Sequence, residues 1–214
     1  MRFVGIDIGK AKCRAAIMDP EGAILEEFTF TNDHEGIEGL ASRLTVHDRV
    51  VMESTGSVWT NLYNHLDERH IHVALANPLK TKAIASAKIK NDRVDARILA
   101  HLLRSNLVAE SYVPPQHLRE IRALVRHRVG IVKIRTMVKN EIHALVDKHG
   151  LRHEFSDLFG KRGVEWLRSL QLPPLDKLIL DNHLTHLESL NQQTERVDDE
   201  IHRKAVEDED VRLL

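Results

Sequence analysis

RFVGIDI, residues 2–8, alternates along the chain and is rich in apolar and β-branched side chains. That is the pattern of a buried strand. Gly9 ends it, and residues 13–18 read as a second strand. Asp19-Pro20-Glu21-Gly22 is turn chemistry, and residues 24–30 make a third strand. The three form an antiparallel meander. Asn32 or Asp33 can cap a helix over about residues 35–44. RVVME at 49–53 is a short buried strand. Ser54-Thr55-Gly56-Ser57 turns into a helix over 58–68, with Val58, Trp59, Leu62, Tyr63 and Leu66 on its apolar face. A fifth strand, 71–76, closes at Asn77-Pro78. Three meander strands followed by alternating helix and strand predict an α/β fold with a mixed sheet.

Pro114-Pro115 marks a boundary, giving an α/β domain at 1–113 and a helical one at 114–214. From 116 to 149, Leu124, Ile131, Val138 and Leu145 recur every seventh residue. Ile121, Val125, Val132, Ile142 and Val146 lie beside that stripe, and Gly150 ends it. A short helix is expected within 157–170, before Pro173-Pro174. From residue 175 a further seam reads Leu180, His183, Leu187, Leu190, Thr194, Val197, Ile201. Its steps alternate three and four, as in a coiled coil. An intrachain helical hairpin and an intermolecular coiled coil both satisfy it.

The formal net charge is −1, which alone predicts no nucleic-acid partner. The distribution says more. Residues 80–97 hold six Lys/Arg against two Asp, and 119–148 hold eight against three acids, whereas 188–210 hold nine acids against three Lys/Arg. The basic stretches nominate Lys80, Lys82, Lys88, Lys90, Arg126, Arg128, Arg135 and Lys139 as nucleic-acid contacts. Cys13 is the only cysteine, so no intrachain disulfide forms and a reducing cytoplasm is the expectation. No charged-then-apolar leader follows Met1 and no apolar run nears membrane-spanning length, so no membrane partner is expected. His149 with His153, or His183 with His186, could be drawn as metal pairs, but packed or exposed histidine is the better reading.

KIKNDRVDARILA, at 88–100, sets Asp92 and Asp95 three residues apart, on one face of a helix. Carboxylates held close repel and invite a divalent cation, and Lys88, Lys90, Arg93 and Arg97 around them suit a phosphate-bearing ligand. Alone, the stretch reads as an exposed helix start. Asp7 and Glu53 change that. A carboxylate within an apolar strand costs several kcal/mol unless paired or metal-bound. The order β-β-β-α-β-α-β-α is that of an RNase H-like (Holliday-junction-resolvase-like) domain. In that fold Asp7, Glu53, Asp92 and Asp95 would gather within the ~4 Å reach of a two-metal site for phosphodiester chemistry, with Mg²⁺ (or Mn²⁺) preferred by hard oxygen ligands.

GIDIGK at 5–10, ESTG at 53–56, NPLKTK at 77–82 and KNDRVDARILA at 90–100 occur in that order. Together they resemble the DEDD transposases/recombinases of bacterial and archaeal insertion sequences, relatives of the pilin-gene invertase. In that resemblance Asp7, Glu53, Asp92 and Asp95 match the acidic tetrad. RTMVKNEIH at 135–143 resembles a family run through Arg135, Asn140 and His143. The resemblance implies DNA strand cleavage and exchange, a structured guide RNA in at least some members, and a homo-oligomer. Family members continue into a second domain with a serine nucleophile. This chain stops before it, so it looks like the N-terminal part, not expected to recombine DNA alone. Ser54 and Ser57 read as turn or capping residues.

Three other functions compete. A non-catalytic RNA/DNA-binding and assembly scaffold would use the basic helix and coiled coil alone. A resolvase-like nuclease would use the acids alone. Sugar-kinase/actin-type ATPases share G-x-D-x-G but need a later Gly-rich phosphate loop, which this sequence does not supply.

Overall fold

Three antiparallel strands open the chain: β1 (Phe3–Asp7), β2 (Lys12–Met18) and β3 (Ile24–Thr31). The computed structural model describes residues 1–53, 56–86 and 96–207. Asp19 shapes the β2–β3 turn, its Oδ1 accepting the N–H groups of Gly22 and Ala23, both at 2.8 Å. The helix α1 (His34–Ala41) is capped by Asp33, whose Oδ1 accepts the Gly36 N–H at 2.9 Å. Asn32 instead donates to the Gly9 carbonyl at 3.0 Å. Then follow β4 (Arg49–Glu53), α2 (Trp59–Asp67), β5 (His72–Ala76), α3 (Pro78–Ser86) and α4 (Ala96–Arg104). The sheet order is β3-β2-β1-β4-β5, with β1–β4 and β4–β5 parallel. The mixed α/β sheet expected from the meander is therefore observed.

Strand alternation divides the core into two faces. Val4, Ile6, Val50 and Met52 meet Ile37 and Leu40 of α1 and Leu62 and Leu66 of α2. Phe3, Val51, Ala74 and Ala76 meet Leu99, Ala100 and Leu103 of α4. The α4 face depends on Gly5. A Cβ there would stand 2.0 Å from the Ala96 carbonyl oxygen and 2.5 Å from the Ala100 nitrogen. Only a residue without a side chain lets α4 lie this close to β1.

The parallel pair β1–β4 is tied at its start. The Arg2 guanidinium bonds both Asp48 oxygens (3.0 and 2.6 Å), and Thr45 gives Asp48 its N–H and hydroxyl. Burial alone would raise the Asp48 pKa. The bonds from Arg2 and Thr45 outweigh it and bring the carboxyl from 3.8 down to about 2.

Helix α3 is not anticipated by reading Asn77-Pro78 only as a strand stop. The same dipeptide starts a helix. Asn77 Oδ1 accepts the Lys80 N–H at 3.1 Å, and Pro78 sits where a missing N–H does no harm.

Two compact units divide the chain, Met1–Val113 and Pro114–Leu214. In the second, α5 (Gln116–Lys148) and α7 (Pro174–Glu207) pack antiparallel, and α6 (Lys161–Ser169) lies against α7, with Arg168 reaching Glu188. Ile142, Leu145 and Val146 of α5 meet Leu180, Leu184 and Leu187 of α7. Arg128 reaches Asp198, and seven residues on, Arg135 reaches Asn191 at 3.4 Å. Of the two arrangements the sequence allows, the hairpin is the one seen within the chain. Its seam is shifted from the expected one: Leu184 is buried, whereas His183, Leu190, Val197 and Ile201 are only half-buried. Among the described residues no helix is long and apolar enough to cross a membrane.

Candidate active site

Asp7 and Glu53 are the last residues of β1 and β4. These strands run parallel, with Ile6 level with Met52, so each carboxylate lies one step beyond that pair. Ile6 and Met52 face the α1–α2 core. Alternation then turns Asp7 and Glu53 to the opposite, α4, face, on strands about 4.8 Å apart. Both are half-buried. They stand at the carboxyl ends of parallel strands, where β1 separates an antiparallel neighbour from a parallel one. Open α/β sheets place ligands at such a switch.

Two features bear on this edge. Ala96, the first described residue of α4, is held against Gly5, two residues before Asp7 on the same face. On the other side Arg14 of β2 is level with Asp7 and exposed. Sequence reading missed Arg14. Counting back through the β1–β2 hairpin from the Gly9–Ala11 turn would have found it. Helix α4 is fixed from its outer side by Arg97, which binds the Glu27 carboxylate of β3. That bond, above all, lowers the Glu27 pKa.

Asp92 and Asp95 lie outside the described residues, as do Lys88, Lys90 and Ser54. Among the described residues no three His, Cys, Asp or Glu are grouped to hold a metal. The donor set fits a hard divalent cation as far as it is described: two carboxylates on one sheet face, without thiol or imidazole. Cys13 is no donor. Burial raises its thiol pKa, and its S–H points to the Gly9 carbonyl.

A model of the DEDD transposase family, IS110 type, matches residues 4–150. The chain belongs to this transposase family. The matched span runs from β1 through α5, so it takes in both acids of the strand pair and the first helix of the hairpin. The chain is 29% identical over 107 residues to the pilin gene-inverting protein of Moraxella bovis, covering 46% of this chain and 33% of that one. It is 24% identical over 170 residues to a Sinorhizobium fredii protein named "Putative transposase y4qE", covering 78% of this chain and 44% of that one. The chain thus spans less than half the length of the curated relatives it matches.

The basic residues of this transposase chain fall into two groups. Lys80 and Lys82 are exposed on α3, and Arg126 is exposed on α5. Arg128, Arg135 and Lys139 are engaged within the hairpin: with Asp198, with Asn191, and over the Phe159 ring at 4.7 Å. In the run at 135–143, His143 stands edge-on to Phe159, ring centres 5.1 Å apart, and Asn140 is exposed. His149 bonds Asp176 at 2.8 Å and His153 stacks on Phe155. Ser57 is exposed in the turn before α2, where its carbonyl accepts the Thr60 N–H.

Proposed function

We propose that this chain is the part of a transposase that cuts and exchanges DNA strands through an RNase H-like carboxylate site. Asp7 and Glu53, completed by Asp92 and Asp95, would hold Mg²⁺ or Mn²⁺. The observation that carries this reading is the in-register ending of β1 and β4 in two carboxylates on the face that receives the start of α4. Bound divalent ions supply a water or hydroxyl active at neutral pH and offset charge on the leaving oxygen. The chain's own part would be to fix the donors on rigid strands, with Arg14, level with Asp7, and the exposed Lys80 as the cations offered to phosphates. DNA is the substrate, a structured guide RNA a further partner, and an oligomer the working form, with the half-buried Leu190 side of the hairpin available for assembly. Both of the relatives named above are described as acting on genes or as transposases, which supports this reading.

The test is thermal melting with and without Mg²⁺ or Mn²⁺, beside cleavage of branched DNA. Wild type should gain stability with metal, and Asp7→Asn and Glu53→Gln should lose both that gain and cleavage. If the metal leaves all three proteins unchanged while nucleic acid still binds, the scaffold function stands instead.

A further inference from the structure

The helical unit has a concavity away from the hairpin seam. Residues 151–160 link α5 to α6 without regular structure, yet their path is fixed by packing. Leu151 donates its N–H to Val146 at 3.1 Å, and Asp157 Oδ1 accepts the Phe159 N–H at 2.9 Å. Leu158 is buried. Gly163 of α6 presses on the Leu158 backbone so closely that a Cβ would stand 2.1 Å from its carbonyl oxygen. On this base three rings form a triangle. His153 stacks on Phe155 at 5.8 Å and 23°, and Trp166 lies 5.7 Å from His153 and 5.8 Å from Phe155. With Arg152, Lys161 and Arg162 they line a cavity of about 850 Å³, within the range of ~300–1,000 Å³ typical of ligand sites.

The cations there are placed against the fold's own interest. Lys161 and Arg162 occupy the first turn of α6, and Gly160 before them gives no side-chain cap. Positive charge at the positive end of a helix is unfavourable without an anion. The carboxylate at this end, Asp157, already accepts the Phe159 N–H and, with Glu154, faces three cations. None of Arg152, Lys161 and Arg162 makes a salt bridge with another described residue. Elsewhere in the unit Arg128, Lys148, Arg168 and Lys177 do, whereas Arg126 and Arg196 likewise make none with a described residue. What sets the three apart is that they share one cavity with the rings. Glu154 and Ser156 at the wall add hydrogen-bonding groups suited to the edge of a base.

We propose that this cavity binds single-stranded nucleic acid, one base resting on the His153–Phe155–Trp166 cluster and its flanking phosphates on Arg152, Lys161 and Arg162. Aromatic rings offer a face any unpaired base can use, and cations beside them follow the backbone. A paired base has no free face to offer. The site is independent of the acids on the sheet.

Trp166 reports on it directly. Trp59 is the only other tryptophan, since the chain has two, and Trp59→Phe removes its signal. In that background, short single-stranded RNA and DNA oligonucleotides should quench Trp166 emission saturably, and duplex DNA should not. Quenching by both single strands assigns the site to stacking and phosphate. Quenching by RNA alone adds the 2′-hydroxyl to what is read. Either result supports the site. Arg152→Gln with Arg162→Gln, both exposed and outside the core, should weaken binding about tenfold, and Phe155→Leu by a similar factor. Circular dichroism checks that Phe155→Leu still folds, and the arginine pair decides the matter if it does not. Asp7→Asn should leave the quenching intact, so a failed nuclease reading and a failed pocket give different results. Absence of quenching by both single strands, equal quenching by duplex, or unchanged affinity in the arginine variant would overturn the proposal.

Discussion

Position 5 tolerates no side chain. Gly5→Ala would drive a methyl into the Ala96 carbonyl and the Ala100 nitrogen. We expect a loss of about 3 kcal/mol in denaturant unfolding, at the upper end of overpacking effects. Metal-dependent stabilisation should fall as well, because the same contact sets the start of α4 beside Asp7. Asp48 gives a pH signature. Its carboxyl is depressed to about 2 in the folded chain, so its contribution is full above the unfolded value near 4 and is lost as pH falls through 2. That contribution is about 2 kcal/mol for a shift of this size. Asp48→Asn should therefore lower stability at neutral pH, and its stability should fall less than wild type's between pH 4 and 2 in urea titrations. Asp7 and Glu53 were legible as candidates because a carboxylate in an apolar strand needs a reason. Arg14 was not, because its nearness to Asp7 exists only through cross-strand register.

At the level of elements, the hairpin changes how assembly must be tested. Leu187 is 3% exposed and packs inside the chain. Leu187→Lys should thus open the hairpin, costing roughly 3 kcal/mol or more for an unpaired buried charge, and would confuse unfolding with dissociation. Leu190 is half-buried beside a groove lined by Ile134, Val138 and His186. Leu190→Lys should keep helicity, and light scattering should show a smaller particle if this side joins protomers. An unchanged particle size would exclude it. The seven-residue repeat of α5 and the three-four steps of α7 revealed two long helices, and Pro173-Pro174 the break between them. In α7 the expected Leu180, Leu187 and Thr194 are buried, but the alternate positions of the seam lie one residue on, with Leu184 in place of His183. Hydrophobic spacing alone cannot see that Asn191 and Asp198 sit on the seam to meet Arg135 and Arg128. Helix α3 escaped because its apolar pattern is weak and its only strong signal, Asn77-Pro78, also ends a strand.

For the whole molecule, the near-zero net charge hides a partition. Asp198 and Asp176 of α7 pair with Arg128 and Lys148 of α5, while Arg126, Lys80 and Lys82 are exposed among the predicted contacts. Nucleic-acid affinity should then drop more with Arg126→Gln or Lys80→Gln than with Arg128→Gln. It should fall by on the order of 10³ between about 50 and 200 mM salt if about six phosphates are engaged. Filter binding across a salt series measures both. The antiparallel hairpin has one more consequence. Arg128 meets Asp198, so nine residues further along, the end of α7 at Glu207 comes level with the first turn of α5. Entry and exit share one end, and the far end is free to lie at any distance. Since contacts recur every seventh residue on both helices, excising seven from each should return every partner to an equivalent partner. Such a shortened chain should melt cooperatively, whereas removing seven from one helix alone should not. The hairpin is thus a ruler whose length can be reset in steps of about 10 Å, at 1.5 Å per residue, without disturbing what lies at its base.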